Sequence, residues 1–126
     1  MDKTELIERI KNHCIRVISM VDHLPETKAS KVISMQVLRS ATSIGANYRA
    51  ACRSKSTRDF INKLKIVEEE TDETIYWLEL IESGGSFNPG QIQPLKKETE
   101  ELLAIIVASI KTTKSNALKS GRQGKG

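Results

Sequence analysis

Between Arg39 and Glu82 the chain reads RSATSIGANYRAACRSKSTRDFINKLKIVEEETDETIYWLELIE, and its second half carries a seam that only a helix can bury. Phe60, Leu64, Val67, Thr71, Thr74, Leu78 and Ile81 alternate spacings of four and three, which puts all seven on one side of an α-helix. Further helices of similar length must cover that side. An aromatic content of 4% and three prolines agree with long helices rather than sheets.

The first helix is expected from about 4 to 21, with Leu6, Ile10, Cys14, Val17 and Val21 as its stripe. Leu24-Pro25 ends it, and the proline suits the start of the next helix. A second helix, 26–53, continues the stripe through Val37, Ala41, Ile44, Tyr48 and Ala51. Its middle is small and polar, and Gly45 costs about 1 kcal/mol against alanine inside a helix. Two readings fit: the small residues admit the Tyr76 or Trp77 ring, or Ser43, Gly45 and Asn47 lie at a boundary between subunits.

Ser56 to Asp59 resembles a capping box opening a third helix, 56–83, and Gly84-Gly85 stops it in the left-handed conformation that glycine accepts. Thr71 and Thr74 interrupt the seam near the level expected for Ser43 and Asn47, a polar layer suited to fixing register. Asn88-Pro89 signals another start, and Pro94 places the beginning of helix four between Pro89 and Leu95. That helix is expected over 91–115, on Leu95, Leu102, Ile106 and Ile110. The basic, glycine-rich residues 116–126 are expected to be disordered. The expected fold is all-α: one domain over 1–115, an antiparallel up-down-up-down four-helix bundle.

The charges are segregated along the chain. From Lys28 to Lys65 the bases are Lys28, Lys31, Arg39, Arg49, Arg53, Lys55, Arg58, Lys63 and Lys65, against Asp59 alone. From Ile66 to Glu82 there are only acids: Glu68, Glu69, Glu70, Asp72, Glu73, Glu79 and Glu82. Either the two blocks pair between helices, or the bases near the second connection form a phosphate-binding surface. That surface comprises Arg49, Arg53, Lys55, Arg58 and Lys63, joined from helix four and the tail by Lys111, Lys114, Lys119, Arg122 and Lys125. The two readings hold for different residues without conflict.

Catalytic and metal signatures find little support. His13 and His23 belong to no Glu-x-x-His pair, Cys14 and Cys52 to no CxxC, and no glycine-rich phosphate loop precedes a helix. Glu69-Glu70-Thr71-Asp72-Glu73 matches the EExxE spacing of all-α nucleotide pyrophosphatases, but the second ExxD motif is replaced by Glu98-x-x-Glu101. Neither an enzyme nor a cofactor is expected. The charged beginning MDKTELIERIKN and the shortness of the apolar run Leu102 to Ala108 point to neither export nor a membrane span, so a cytoplasmic location is expected.

The run RSATSIGANYRAA, followed by S-x-x-DF-x-x-KL-x-I-x-EEE-x-x-ET-x-YWLELI, resembles the bacterial four helix bundle proteins, also called 23S ribosomal RNA intervening-sequence proteins. The resemblance extends from about Ile7 to Lys114 and is most specific at Ser43-Ile44-x-Ala46-Asn47 and Trp77-Leu78-Glu79-Leu80. It implies a four-helix subunit in a ring-like homo-oligomer, a pentamer. Many members are encoded within insertions in ribosomal RNA genes, and related basic bundles are accessory proteins of diversity-generating retroelements, where nucleic-acid binding is implied. Many members also carry Ile-Ala-Glu-Gly after the asparagine; here Tyr48-Arg49-Ala50-Ala51 replaces a carboxylate with a base.

These readings converge on a non-enzymatic homo-oligomer that binds RNA or DNA through backbone phosphates, using Arg49, Arg53, Lys55, Arg58, Lys63, Lys111 and Lys114. The alternative is a scaffold acting only through protein contacts, with Ser43, Gly45, Asn47, Thr71 and Thr74 at interfaces or in a polar layer.

Overall fold

The computed structural model describes residues 1–84 and 89–124. It contains α1 (Lys3–Asp22), α2 (Lys28–Cys52), α3 (Thr57–Ser83) and α4 (Pro89–Gly124), with no strand among the described residues. Each helix packs on its chain neighbours and α4 returns to α1, while diagonal pairs stay apart, as in an up-down-up-down bundle. No described helix is long and apolar enough to cross a membrane.

Side-chain caps set the helix starts. Asp2 accepts from Glu5 N at 2.8 Å, Thr27 from Ser30 N at 3.1 Å, and Ser56 from Asp59 N at 3.1 Å. The Thr27 cap explains why α2 begins at Lys28 and not at Glu26. Only half of the expected capping box forms, because the Asp59 carboxylate lies 3.5 Å from Lys63 Nζ. α3 stops at Gly84 with φ −70°, so the stop is right-handed, contrary to expectation, and the Gly84 N–H donates to Leu80 O at 2.9 Å. Gly85 and Asn88, the other expected stop and start signals, lie outside the described residues.

The expected disorder after residue 115 is corrected. α4 continues to Gly124, through Ala117, Leu118 and Lys119, which are good helix formers, and no proline intervenes. Lys125 lies outside the described residues. Pro94 is exposed within the first turns of α4.

The core has two apolar clusters. Leu6, Ile10, Ile44, Tyr48, Leu64, Leu102 and Ile106 build one end, and Val17, Val37, Ala41, Leu78, Ile81, Ile92 and Leu95 the other. Between them lies a buried polar layer from all four helices: His13, Ser40, Thr71, Thr74 and Thr99. The Thr74 hydroxyl bonds Ser40 Oγ at 2.8 Å across α2 and α3, and Thr71 Oγ1 donates to Val67 O at 2.6 Å.

This layer differs from the one read in the sequence. Ser43 and Asn47 are half-buried beside the core, and Asn47 Nδ2 donates to Ser43 O at 2.9 Å within its own helix. Ser40 takes their place because the α2 face toward α3 runs through it, three residues from both Val37 and Ser43. On α1 the buried stripe is Leu6, Ile10, His13, Val17 and Met20, and Cys14 and Val21 are displaced to half-buried flanks.

Candidate functional site

The first apolar cluster defines one pole of the bundle, where the beginnings of α1 and α3 meet the end of α2 and the last buried turn of α4. Lys3 Nζ stands 4.6 Å above the Phe60 ring and ties the start of α1 to the start of α3. Arg53 caps α2, Lys55 sits in the connection, and Arg58 is in the first turn of α3. Lys111 and Lys114 follow Ile110, the last buried residue of α4 among those whose burial is described. The fold therefore gathers at one pole bases that are up to 65 residues apart in sequence (from 49 to 114).

Ion pairing separates these bases into two groups. Arg39 joins α2 to α3 through Glu70, at 3.1 Å, and Glu73, so here the two charge blocks do pair within the subunit. The Arg39 hydrogen bond holds the Glu73 carboxyl below its ordinary range. Glu70 and Glu73 of the EExxE run are thus engaged by a guanidinium, and no metal-holding group of three or more ligands occurs among the described residues. By contrast, Arg49, Arg53, Lys55, Arg58, Lys111 and Lys114 are exposed and make no ion pair among the described residues. Lys63 differs from them: it is half-buried and lies 3.5 Å from Asp59 Oδ2.

The surface bends around the pole. Arg49 and Arg53 border an open groove of about 600 Å³ between α1 and α2, which Gly45 and Ala46 also line. Arg58 lies on the outward side of α3, and the exposed Lys65, seven residues on, shares that side. Lys65 extends the basic surface beyond the residues expected from the sequence, and Lys119, expected there as part of the tail, is an exposed residue of α4. The acids at this pole are Asp2, which caps α1, Asp59, beside Lys63 in the first turn of α3, and Glu5 and Glu8 on α1.

Gly45 does not accommodate an aromatic ring. A Cβ there would meet only Ile10 Cγ2, at 3.5 Å, an ordinary contact. Trp77 packs on the opposite cluster, and Tyr76 is exposed beside it at a centroid distance of 5.1 Å. Thr71 and Thr74 are fully buried within the subunit.

His13 and Thr99 fit no stripe or motif expected from the sequence, yet they meet in the core. His13 is 1% exposed and its Nε2 lies 2.8 Å from Thr99 Oγ1. Since Thr99 Oγ1 donates to Leu95 O at 2.8 Å, it accepts from His13 Nε2–H, which leaves Nδ1 unprotonated and without a partner among the described residues. Burial pushes the imidazole pKa down to about 4. Above it Arg9 forks onto Glu98 at 2.6 and 2.8 Å and reaches Glu101 at 2.8 Å. These groups close the seam between α1 and α4.

Comparison with known proteins adds to this geometry. The family model described as 23S rRNA-intervening sequence protein matches residues 2–108. A crystal structure of a protein of unknown function from the S23 ribosomal protein family, from Bacteroides thetaiotaomicron VPI-5482, is 33% identical with a TM-score of 0.81. The match covers 88% of this chain and 99% of that one. No curated protein matches the sequence.

Proposed function

The chain belongs to the 23S rRNA-intervening sequence protein family, and from that premise we propose that it is a non-enzymatic, homo-oligomeric bundle that binds RNA or DNA through backbone phosphates. One observation carries the reading: exposed bases from α2, the second connection, α3 and α4 converge on one pole and are not neutralised by the subunit's own acids. Each unpaired cation that displaces a counterion from nucleic acid adds a salt-sensitive increment of affinity without reading sequence. Arg49, Arg53 and Arg58 supply planar donors suited to phosphate oxygens, and Lys55, Lys111 and Lys114 supply point charges.

Assembly has separate support. Ile15 and Ile18 on α1 and Met35 on α2 are exposed on the outward side of that helix pair, with Val32 nearby, more apolar surface than an isolated bundle needs. Covering it with neighbouring copies would close a ring, the pentamer that the family resemblance implies.

The test is fluorescence anisotropy of labelled structured RNA and duplex DNA, titrated with nuclease-treated protein at several salt concentrations. Binding that weakens steeply with salt, and falls at least tenfold in Arg49→Glu/Arg53→Glu/Arg58→Glu, is the expected result. Absence of binding at low salt, with the assembly intact, would overturn it and leave a scaffold that acts through protein contacts alone.

A further inference from the structure

Resting on the phosphate-binding reading, we propose that the last turns of α4 are an arm that lies in the major groove of B-form duplex DNA. α4 leaves the core at Ile110, and from 111 to 121 every residue is exposed except the half-buried Thr113, whose hydroxyl donates to Ser109 O at 2.7 Å. Running on to Gly124, the helix projects roughly 21 Å beyond the core at 1.5 Å per residue.

The arm has a basic side. Lys111, Lys114 and Leu118 follow the i, i+3, i+7 rule, and Ser115 and Lys119 adjoin them, so three lysines span somewhat less than half the circumference. No apolar stripe accompanies them: the continuation of the core side is Thr113 and Ala117. A solvated helix of this length has little stability of its own, so a ligand that shields its lysines also stabilises its helical form. Leu118 is 65% exposed and belongs to neither apolar cluster.

Groove dimensions select the ligand. A helix with side chains is about 10–12 Å across and enters the major groove of B-DNA, about 12 Å wide, where lysines reach phosphates on the rims and an apolar side chain meets thymine methyl groups. The major groove of A-form RNA is deep and narrow and closed to side chains. Single strands are held by aromatic stacking, and among the described residues this pole offers none: Tyr48 is buried, and Phe60 is half-buried beneath Lys3.

The experiment measures anisotropy of the full chain on duplex DNA, duplex RNA and single-stranded DNA of equal length and sequence. Lys111→Gln/Lys114→Gln/Lys119→Gln and, separately, Leu118→Ser are compared after circular dichroism has matched their folds in the free state. The lysine variant is expected to lose at least tenfold on duplex DNA and to flatten the log–log salt slope there by about 2.7, and to lose less on duplex RNA, where Lys111 and Lys114 act only as part of the pole. Leu118→Ser is expected to weaken duplex DNA binding severalfold with the slope unchanged. Unchanged DNA affinity in the lysine variant, or equal losses on DNA and RNA, overturns the arm while leaving the pole as the binding surface. No binding of the unsubstituted chain to any of the three ligands overturns both.

Discussion

His13 reaches α4 through Nε2 and keeps Nδ1 buried without a partner among the described residues, so any proton added there is a charge in the core. Its folded pKa of about 4 lies below the ordinary 6.5, so between those values the unfolded chain binds more protons than the folded one. This contribution is complete above pH 6.5 and is lost as the pH falls toward 4. The total loss is about 3 kcal/mol, at 1.36 kcal/mol per pH unit. The charged neighbours are Glu98 on α4, which favours the imidazolium, and Arg16 on α1, which opposes it; desolvation outweighs both. Urea denaturation from pH 7 to pH 5 is expected to show a falling midpoint, and His13→Leu to flatten it. At Gly45 the expectation has the opposite sign: Gly45→Ala gains helix propensity at an ordinary contact distance from Ile10 and stabilises the subunit by about 0.5–1 kcal/mol in the same assay.

The α1–α4 seam is the most weakly packed of the bundle's helix pairs and depends on polar links. The Arg9 fork holds the Glu98 carboxyl below its ordinary range, and both side chains are partly shielded from water. Arg9→Ala leaves two carboxylates facing each other without their cation and is expected to cost about 2 kcal/mol. Hydrogen exchange localises the effect: amides of α1 are expected to speed up more than those of α3, and equal acceleration everywhere would show that the fork is not a local link. The sequence disclosed α2, α3 and the buried part of α4 because each carries one apolar stripe at regular spacing. On α1 the pattern is ambiguous by one step, since Leu6, Ile10 and Val17 fit both a stripe through Cys14 and one through His13. Burying a histidine depends on a hydroxyl from a helix 86 residues away, which no local pattern reveals. For the same reason Ser40, not Asn47, became the partner of Thr74. The bases of the pole were legible as a cluster near one connection, but which of them are neutralised became clear only from the packing: Arg39 meets two acids across α2 and α3, and Arg49, ten residues later, meets none.

For the whole molecule, charge and apolar surface lie in different places, and that separation sets the last prediction. The unpaired bases occupy one pole, and Ile15, Ile18 and Met35 lie along the outward side of α1 and α2. If the apolar side is the contact between copies, Ile18→Glu/Met35→Glu adds buried charge to each interface but little strain to the subunit, where both residues already face water. Light scattering is expected to show the mass falling to the 14.1 kDa of one chain, with thermal unfolding still cooperative. An unchanged mass would remove this side from the interface. The dispersed variant then also measures what assembly adds to binding, because its basic pole is untouched. A ring presenting several such poles to one nucleic acid converts later contacts into intramolecular ones, so a single chain is expected to bind a long duplex at least a hundredfold more weakly than the ring. On a duplex too short for two poles the two forms are expected to bind alike per subunit, which separates multivalency from any change within the pole itself.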